Sequence, residues 1–323
     1  MRSWTDEELE ELAGRLDNNG RWGPDDELGT LNHITATKRV EAAGLVRSGR
    51  VVSLARPLVP DESPSTRVDL EHRVVYARMP DVRLGTPPFA GDYLGVECHQ
   101  PGVTHLDAIG HIGSLDGRTW GGRPYDEAVD DDGLHFGSIQ AQRHGVVSRA
   151  VLLDIPASQG KLWLDPAAEI GAADLDMAVH HAGVEVGPGD VIVVRVGIEA
   201  RHAAHGPSVL APGPGAEAAE WIHRREVACY VSDAPEHITA LGARILGRGE
   251  VRSDPGFDRR TRFPLTFHQL ALPLMGLCLL DHAHVETLAE VCAEIGRYEF
   301  LFIAAPLVVP RATGSPVNPL AIF

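Results

Sequence analysis

The chain has 323 residues, 44% hydrophobic and 23% charged, enough apolar material for one large core or two modest ones. Its formal net charge of -16 argues against a nucleic-acid backbone and against an anionic membrane surface as partners. The four cysteines, Cys98, Cys229, Cys278 and Cys292, form no CxxC pair. They are expected as reduced thiols, mostly in the core of a cytoplasmic protein. The N-terminal residues contain no apolar h-region, so no signal peptide is expected, and no apolar run is long enough for a transmembrane helix.

Ser3 or Thr5 is placed to cap a first helix running to about Ala13, with Asp6, Glu7 and Glu8 in the turn where the helix dipole favours anions. A Gly- and Asp-rich loop follows from Asn18 to Gly29. Thr35 to Val46 then reads as helix, and Val51 to Leu54 opens a strand. Val68 to Tyr76, Tyr93 to Cys98 and Val146 to Ile155 have strand composition. Ala172 to His181 is predicted helical, Gly187 to Asp190 a tight turn, and the almost purely β-branched run Val191 to Val196 a central strand. The Pro/Gly stretch Ala211 to Gly215 reads as a surface loop. Glu217 to Arg225 reads as helix, Val227 to Val231 as strand, Val285 to Ile295 as an amphipathic helix, and Phe300 to Ala305 as strand. The tail from Gly314 to Pro319 is expected to hold no regular structure. Strands and helices mix without a βαβ repeat. This predicts a mixed α/β domain over residues 51–323 with an N-terminal helical extension, residues 1–50, packed on it.

The densest chemistry lies in Thr104-His105-Leu106-Asp107-Ala108-Ile109-Gly110-His111. In extended chain, positions i and i+2 share a face and sit about 6.6 Å apart at ~3.3 Å per residue. His105 and Asp107 can therefore converge on one ion. His111 follows a small Ala108 and a flexible Gly110 and can fold back to the same centre. Three N/O ligands leave an open coordination position, as catalytic sites do, and such an ion acidifies water toward ~7. With no thiolate in the set, Zn²⁺ and Mn²⁺ both fit.

This motif resembles that of the cyclase-like, or kynurenine formamidase-like, metal-dependent hydrolases, roughly His-x-Gly-Thr-His-x-Asp-x-x-x-His. Further matches to the family's longer bacterial branch are Trp22 to Asn32, Gly189 to Ile192, Ser232-Asp233, Arg297 to Phe302, Ala305 to Leu307 and Thr313 to Pro319. The resemblance implies a swivelling β/β/α fold and a Zn²⁺ or Mn²⁺ site that hydrolyses an amide or lactam of a small, aromatic molecule. It implies His105, Asp107 and His111 as metal ligands, and His268 as the catalytic histidine. It also places Asp281 where the family has a metal-binding or catalytic glutamate, although a helix N-cap ahead of Val285 accounts for Asp281 equally.

Two positions depart from the pattern. The family's first ligand histidine falls at Pro101, which cannot bind metal; His99, of the same strand parity as His105, is the substitute. Asp281 is one methylene shorter than glutamate, which favours one ion over two. Trp120, Arg123 and Tyr125 follow the motif and are candidates to line the substrate pocket; ordinary loop packing is the other reading of each. Asp233 either orients a ligand histidine or caps the turn at Ala234-Pro235. His180, His181, His202 and His205 are read as solvated. Two other functions remain open: a non-hydrolytic metal-assisted cyclase or dehydratase of polyketide type, and a catalytically lapsed binding protein of the same fold. A homodimer or homotetramer is expected from the resemblance.

Overall fold

The structure is a computed structural model that describes residues 4–77, 89–114, 116–238 and 263–323. Its centre is a nine-stranded mixed sheet. In chain order the strands are β1 (Val51–Ser53), β4 (His105–Asp107), β5 (Val146–Asp154), β6 (Val191–Arg195), β7 (Cys229–Ser232), β8 (Cys278–Asp281), β9 (Glu299–Ala304), β10 (Gly314–Pro316) and β11 (Leu320–Ile322). β2 (Leu70–Ala77) and β3 (Phe89–Val96) form a separate hairpin. The spatial order is β1-β11-β9-β5-β6-β7-β8-β4-β10, with β5 to β8 mutually parallel and every other neighbouring pair antiparallel.

Alternation along the central strands divides the core in two. Val151, Leu153, Ile192, Val194, Tyr230 and Leu279 face one cluster, which α1 (Asp6–Leu16), α3 (Ala172–Ala182) and α5 (Ala216–Arg224) cover with Leu9, Leu12, Leu16, Leu175, Trp221 and Ile222. Val191, Val193, Val231, Cys278 and Leu280 face the other, covered by Leu288 and Val291 of α7 (Glu286–Ile295). Apolar cover on both faces explains the unbroken β-branched run of β6. Between α1 and β1 lies α2 (Ala36–Ala43), capped by Thr35. Thr5 caps α1 in a capping box with Glu8; Ser3 lies outside the described residues. The four cysteines are free, and three of them are buried. Among the described residues, no helix is long and apolar enough to cross a membrane.

Two expectations are overturned. The tail is irregular only over 317–319: Gly314–Pro316 pairs with His105–Asp107 as β10, and beyond the tail Leu320–Ile322 pairs with β1 and β9 as β11. β10 is the outermost strand, where a proline without an N–H removes no needed ladder bond. The stretch Ala211 to Gly215 is not a surface loop but buried, with Gly213–Pro214 paired to Glu169–Ile170. Its backbone is satisfied inside: Gly213 N–H donates to the Ala168 carbonyl and Gly215 N–H to that of Ile170, each at 3.2 Å.

Among the described residues, the Asp233 carboxylate, just past β7, neither holds a histidine nor caps the turn at Ala234-Pro235, where Ala234 N–H donates to Ser232 Oγ. It accepts from Val196, Gly197 and Ile198 N–H at 2.8, 2.9 and 3.0 Å. It thereby closes the start of α4 (Ile198–His205). Burial pushes the carboxyl up to about 6 against the pull of these donors. Asp233→Ala strands three inward-facing N–H groups and is expected to cost roughly 3 kcal/mol. A urea midpoint equal to wild type would show that the cap contributes nothing.

Candidate metal centre

Strand register builds the site. Asp281 ends β8 directly opposite His105, and Leu280 lies opposite Leu106. Residues directly opposite share a face, so Asp281, His105 and Asp107 point one way while Leu106 and Leu280 enter the core behind. Asp281 is therefore a strand-end residue. The N-cap position of α7 belongs to Val285, which removes the capping alternative.

His105 holds its Nδ1 2.7 Å from the Val103 carbonyl. A carbonyl only accepts, so Nδ1 carries the proton and Nε2 is free as a donor atom. That Nε2 lies 3.4 Å from Asp107 Oδ1. The Asp107 backbone carbonyl accepts from Gln142 Nε2 at 2.9 Å.

His99, on the loop before β4, places Nδ1 3.0 Å from the same Asp107 Oδ1, and its ring stacks on His111 at 3.7 Å and 3°. Gly110 N–H donates to Gly137 and His111 N–H to Ala108 in the bend that returns His111 to the strand. Two triads result, His99-Asp107-His111 and His105-Asp107-Asp281; within each, the ligand atoms lie within 4.8 Å of one another. They share Asp107.

His268 lies on α6 (Thr266–Leu270). Its Nε2 sits 3.2 Å from Asp281 Oδ2 and 3.7 Å from Asp107 Oδ2, while Nδ1 is 2.8 Å from Glu236 Oε2. The residues line a cleft whose apolar wall includes Ile112, Pro235, Ile238 and Leu265.

The electrostatics suit a cation. Burial opposes ionisation of Asp107, yet the imidazoles of His99, His111 and His105 overcome it and hold the carboxyl far below the usual range. Burial, with help from its histidine neighbours, lowers His111 to about 3 against the pull of Asp107, so its ring is neutral, as a ligand requires. His268 goes the other way: hydrogen bonds to Asp281 and Glu236 outweigh burial and raise it well above the ordinary value. Of the buried atoms at the centre, Asp281 Oδ1 has no hydrogen-bond partner, and His99 Nδ1 and Asp107 Oδ1 face each other at 3.0 Å without a well-aligned bond. Unpaired or misaligned polar atoms of this kind are costly to bury. Convergent imidazole and carboxylate atoms left in that state are what a divalent ion would satisfy, so the residues fit a metal.

Residues 52–237, more than half of the chain, match the family model described as "Putative cyclase". The chain belongs to the cyclase family. The crystal structure of a novel cyclase is similar to it at 27% identity and a TM-score of 0.76, covering 95% of this chain and 99% of that one. Isatin hydrolase A from Labrenzia aggregata shares the fold at 18% identity and a TM-score of 0.54, covering 89% of this chain and 98% of its own. The isatin hydrolase A from Ralstonia solanacearum does so at 19% and 0.52, covering 89% and 97%. No curated protein matches the sequence.

In this member of the family the structure brings His99, His105, Asp107, His111, His268 and Asp281 to one cleft, and Pro101 lines it without a donor atom. Trp120, Arg123 and Tyr125 are not among the described residues lining it. Trp120 is buried and donates Nε1–H to the Asp26 carbonyl, Arg123 covers the Phe136 ring, and Tyr125 donates its hydroxyl to the His111 carbonyl at 2.9 Å. Of the three, only Tyr125 reaches a site residue, and it does so through the backbone. Glu236 was not among the sequence candidates. It lies 32 positions from His268, and nothing local signals the pairing.

His99 also depends on a glycine. A Cβ at Gly314 would lie 2.6 Å from His99 Cε1 and 3.0 Å from the Leu106 carbonyl. The Gly314→Ala variant is expected to displace His99 and weaken metal retention about 10-fold, as loss of ligand support typically does. Competition with a chromophoric chelator measures it; unchanged retention would show that His99 holds no ion.

Proposed function

We propose that the protein is a metal-dependent hydrolase that opens the C–N bond of an amide or lactam in a small molecule carrying an aromatic ring. The observation that carries this reading is the pair of triads sharing Asp107, with unpaired or misaligned ligand atoms facing a cleft that has His268 beside it and an apolar wall. The fold shared with two isatin hydrolases supports it, isatin being a cyclic amide.

His99, Asp107 and His111 would hold one Zn²⁺ or Mn²⁺, and His105, Asp107 and Asp281 a second. Such an ion, when bound, supplies Lewis acidity that polarises a carbonyl and acidifies water. The chain's own residues position and protonate. Ile112, Pro235, Ile238 and Leu265 take an aromatic ring out of water, at about 25 cal/mol per Å² of apolar surface. Glu236 and Asp281 set the charge of His268. With Asp281 engaged elsewhere, the ring keeps only Glu236, and its hold on the Nε2 proton weakens. His268 Nε2 then accepts a proton from water and returns it to the leaving nitrogen.

A panel of aromatic amides, lactams and esters, assayed with and without chelator in H₂¹⁸O, tests this. Chelator-sensitive release of product carrying ¹⁸O is expected. Full activity in metal-free protein would overturn it, and product free of ¹⁸O would point instead to metal-assisted cyclisation or dehydration.

A further inference from the structure

The carboxylate of Glu236 is the best-anchored acid in the cleft. It is 2% exposed, and both oxygens are used. Oε1 accepts from Phe267 N–H at 2.7 Å, and Oε2 faces His268 Nδ1 at 2.8 Å. The acid therefore grips α6 at two adjacent residues, once through the backbone and once through the ring. Its own backbone is fixed from behind: Pro235 precedes it, Ile238 N–H donates to the Ala211 carbonyl at 2.9 Å, and Gly213 packs so close that a Cβ there would lie 2.2 Å from the Glu236 carbonyl carbon. The buried 211–215 segment is thus the buttress of this side chain.

We infer that Glu236 is a positioning residue that fixes the proton of His268 on Nδ1 and so makes Nε2, the nitrogen facing Asp107 and Asp281, the working atom of the ring. The chemistry is directional. A carboxylate can only accept, so a nitrogen committed to one must carry hydrogen; Nδ1 stays committed to Glu236 at 2.8 Å, whereas Nε2 is released from Asp281, 3.2 Å away, once that acid is engaged by an ion. An amide in the same place can present its NH₂ group, which stabilises the opposite tautomer and turns a lone pair away from the cleft. The resulting ring would occupy the same volume with its proton on the wrong nitrogen.

This inference rests on the hydrolase reading only for its consequence in turnover; the tautomer itself is measurable without any reaction. Histidine ¹⁵N spectra of zinc-loaded protein, in which Asp281 would be engaged by the ion, assigned by loss of the signal in His268→Gln, should show a protonated Nδ1 and an unprotonated Nε2. In Glu236→Gln the pattern should invert. Turnover on any amide found in the panel should fall about 10- to 100-fold through kcat, with KM little changed. Glu236→Asp, which retains an acceptor, should keep the wild-type tautomer. A wild-type ring protonated on Nε2, or an unchanged pattern in Glu236→Gln, would overturn the inference. A wild type inactive on every amide with the expected tautomer would sink the hydrolase reading and leave the assignment of Glu236 standing.

Discussion

Replacing Asp107 by alanine is expected to strip the protein of all tightly held divalent metal and to cut turnover by about 10³-fold or more. The reason is topological: Asp107 is the one residue common to both triads, so no complete set of three survives its loss. Lewis-acid assistance is worth several kcal/mol, and each ~1.4 kcal/mol is tenfold in rate. His111→Ala and Asp281→Asn each disrupt one triad only, and should leave partial metal. Elemental analysis of the three variants beside wild type separates the cases. Equal metal in Asp107→Ala and wild type would place the ion elsewhere. The same experiment decides the count. The short side chain of Asp281 argues from sequence for one ion, whereas the register that sets Asp281 opposite His105 offers a second position without needing the extra methylene.

Replacing His268 by glutamine should reduce turnover by about 10³-fold, within the range usual for a lost acid–base group, and leave the metal in place. His268 belongs to neither triad. Its Nε2 faces the two acids, and its other nitrogen is committed to Glu236. The contrast with Asp107 is the informative part: one variant loses metal and rate together, the other rate alone. Loss of metal in His268→Gln would recast the histidine as a ligand, and an unchanged rate would remove it from the chemistry.

Much of this fold is legible in the sequence where local patterns agree with burial. The β-branched run of β6, the acidic first turn of α1 and the stripe of α7 fall close to where their periodicities place them. The ligand motif is legible because strand alternation alone aims His105 and Asp107 together. Other features are set by distant partners. β8 is only four residues long, three apolar and then Asp281, too short for its period to distinguish strand from helix. β10 contains a proline, which speaks against a strand until its place at the sheet edge is known. Glu236 meets His268 only because the segment following β7 lies against the first turn of α6. Conversely, Trp120, Arg123 and Tyr125 are near the motif in sequence, yet their side chains turn to a loop carbonyl, the Phe136 ring and a backbone carbonyl.

The pairing of β4 with β8 on one side and β10 on the other has a consequence in time. His105, Asp107 and His111 are synthesised about 170 residues before Asp281 and about 200 before the strand that carries Gly314. At ~5–20 residues per second, the second triad stays without Asp281 for roughly 10–40 s, although His99, Asp107 and His111 are already made. Through that interval β4 has neither neighbour, and its imidazoles and carboxylate are open to solvent and to whatever ions the cell offers. If both positions hold ions, the His99-Asp107-His111 set becomes available in the chain long before the His105-Asp107-Asp281 set, so the two would open to metal in a fixed order.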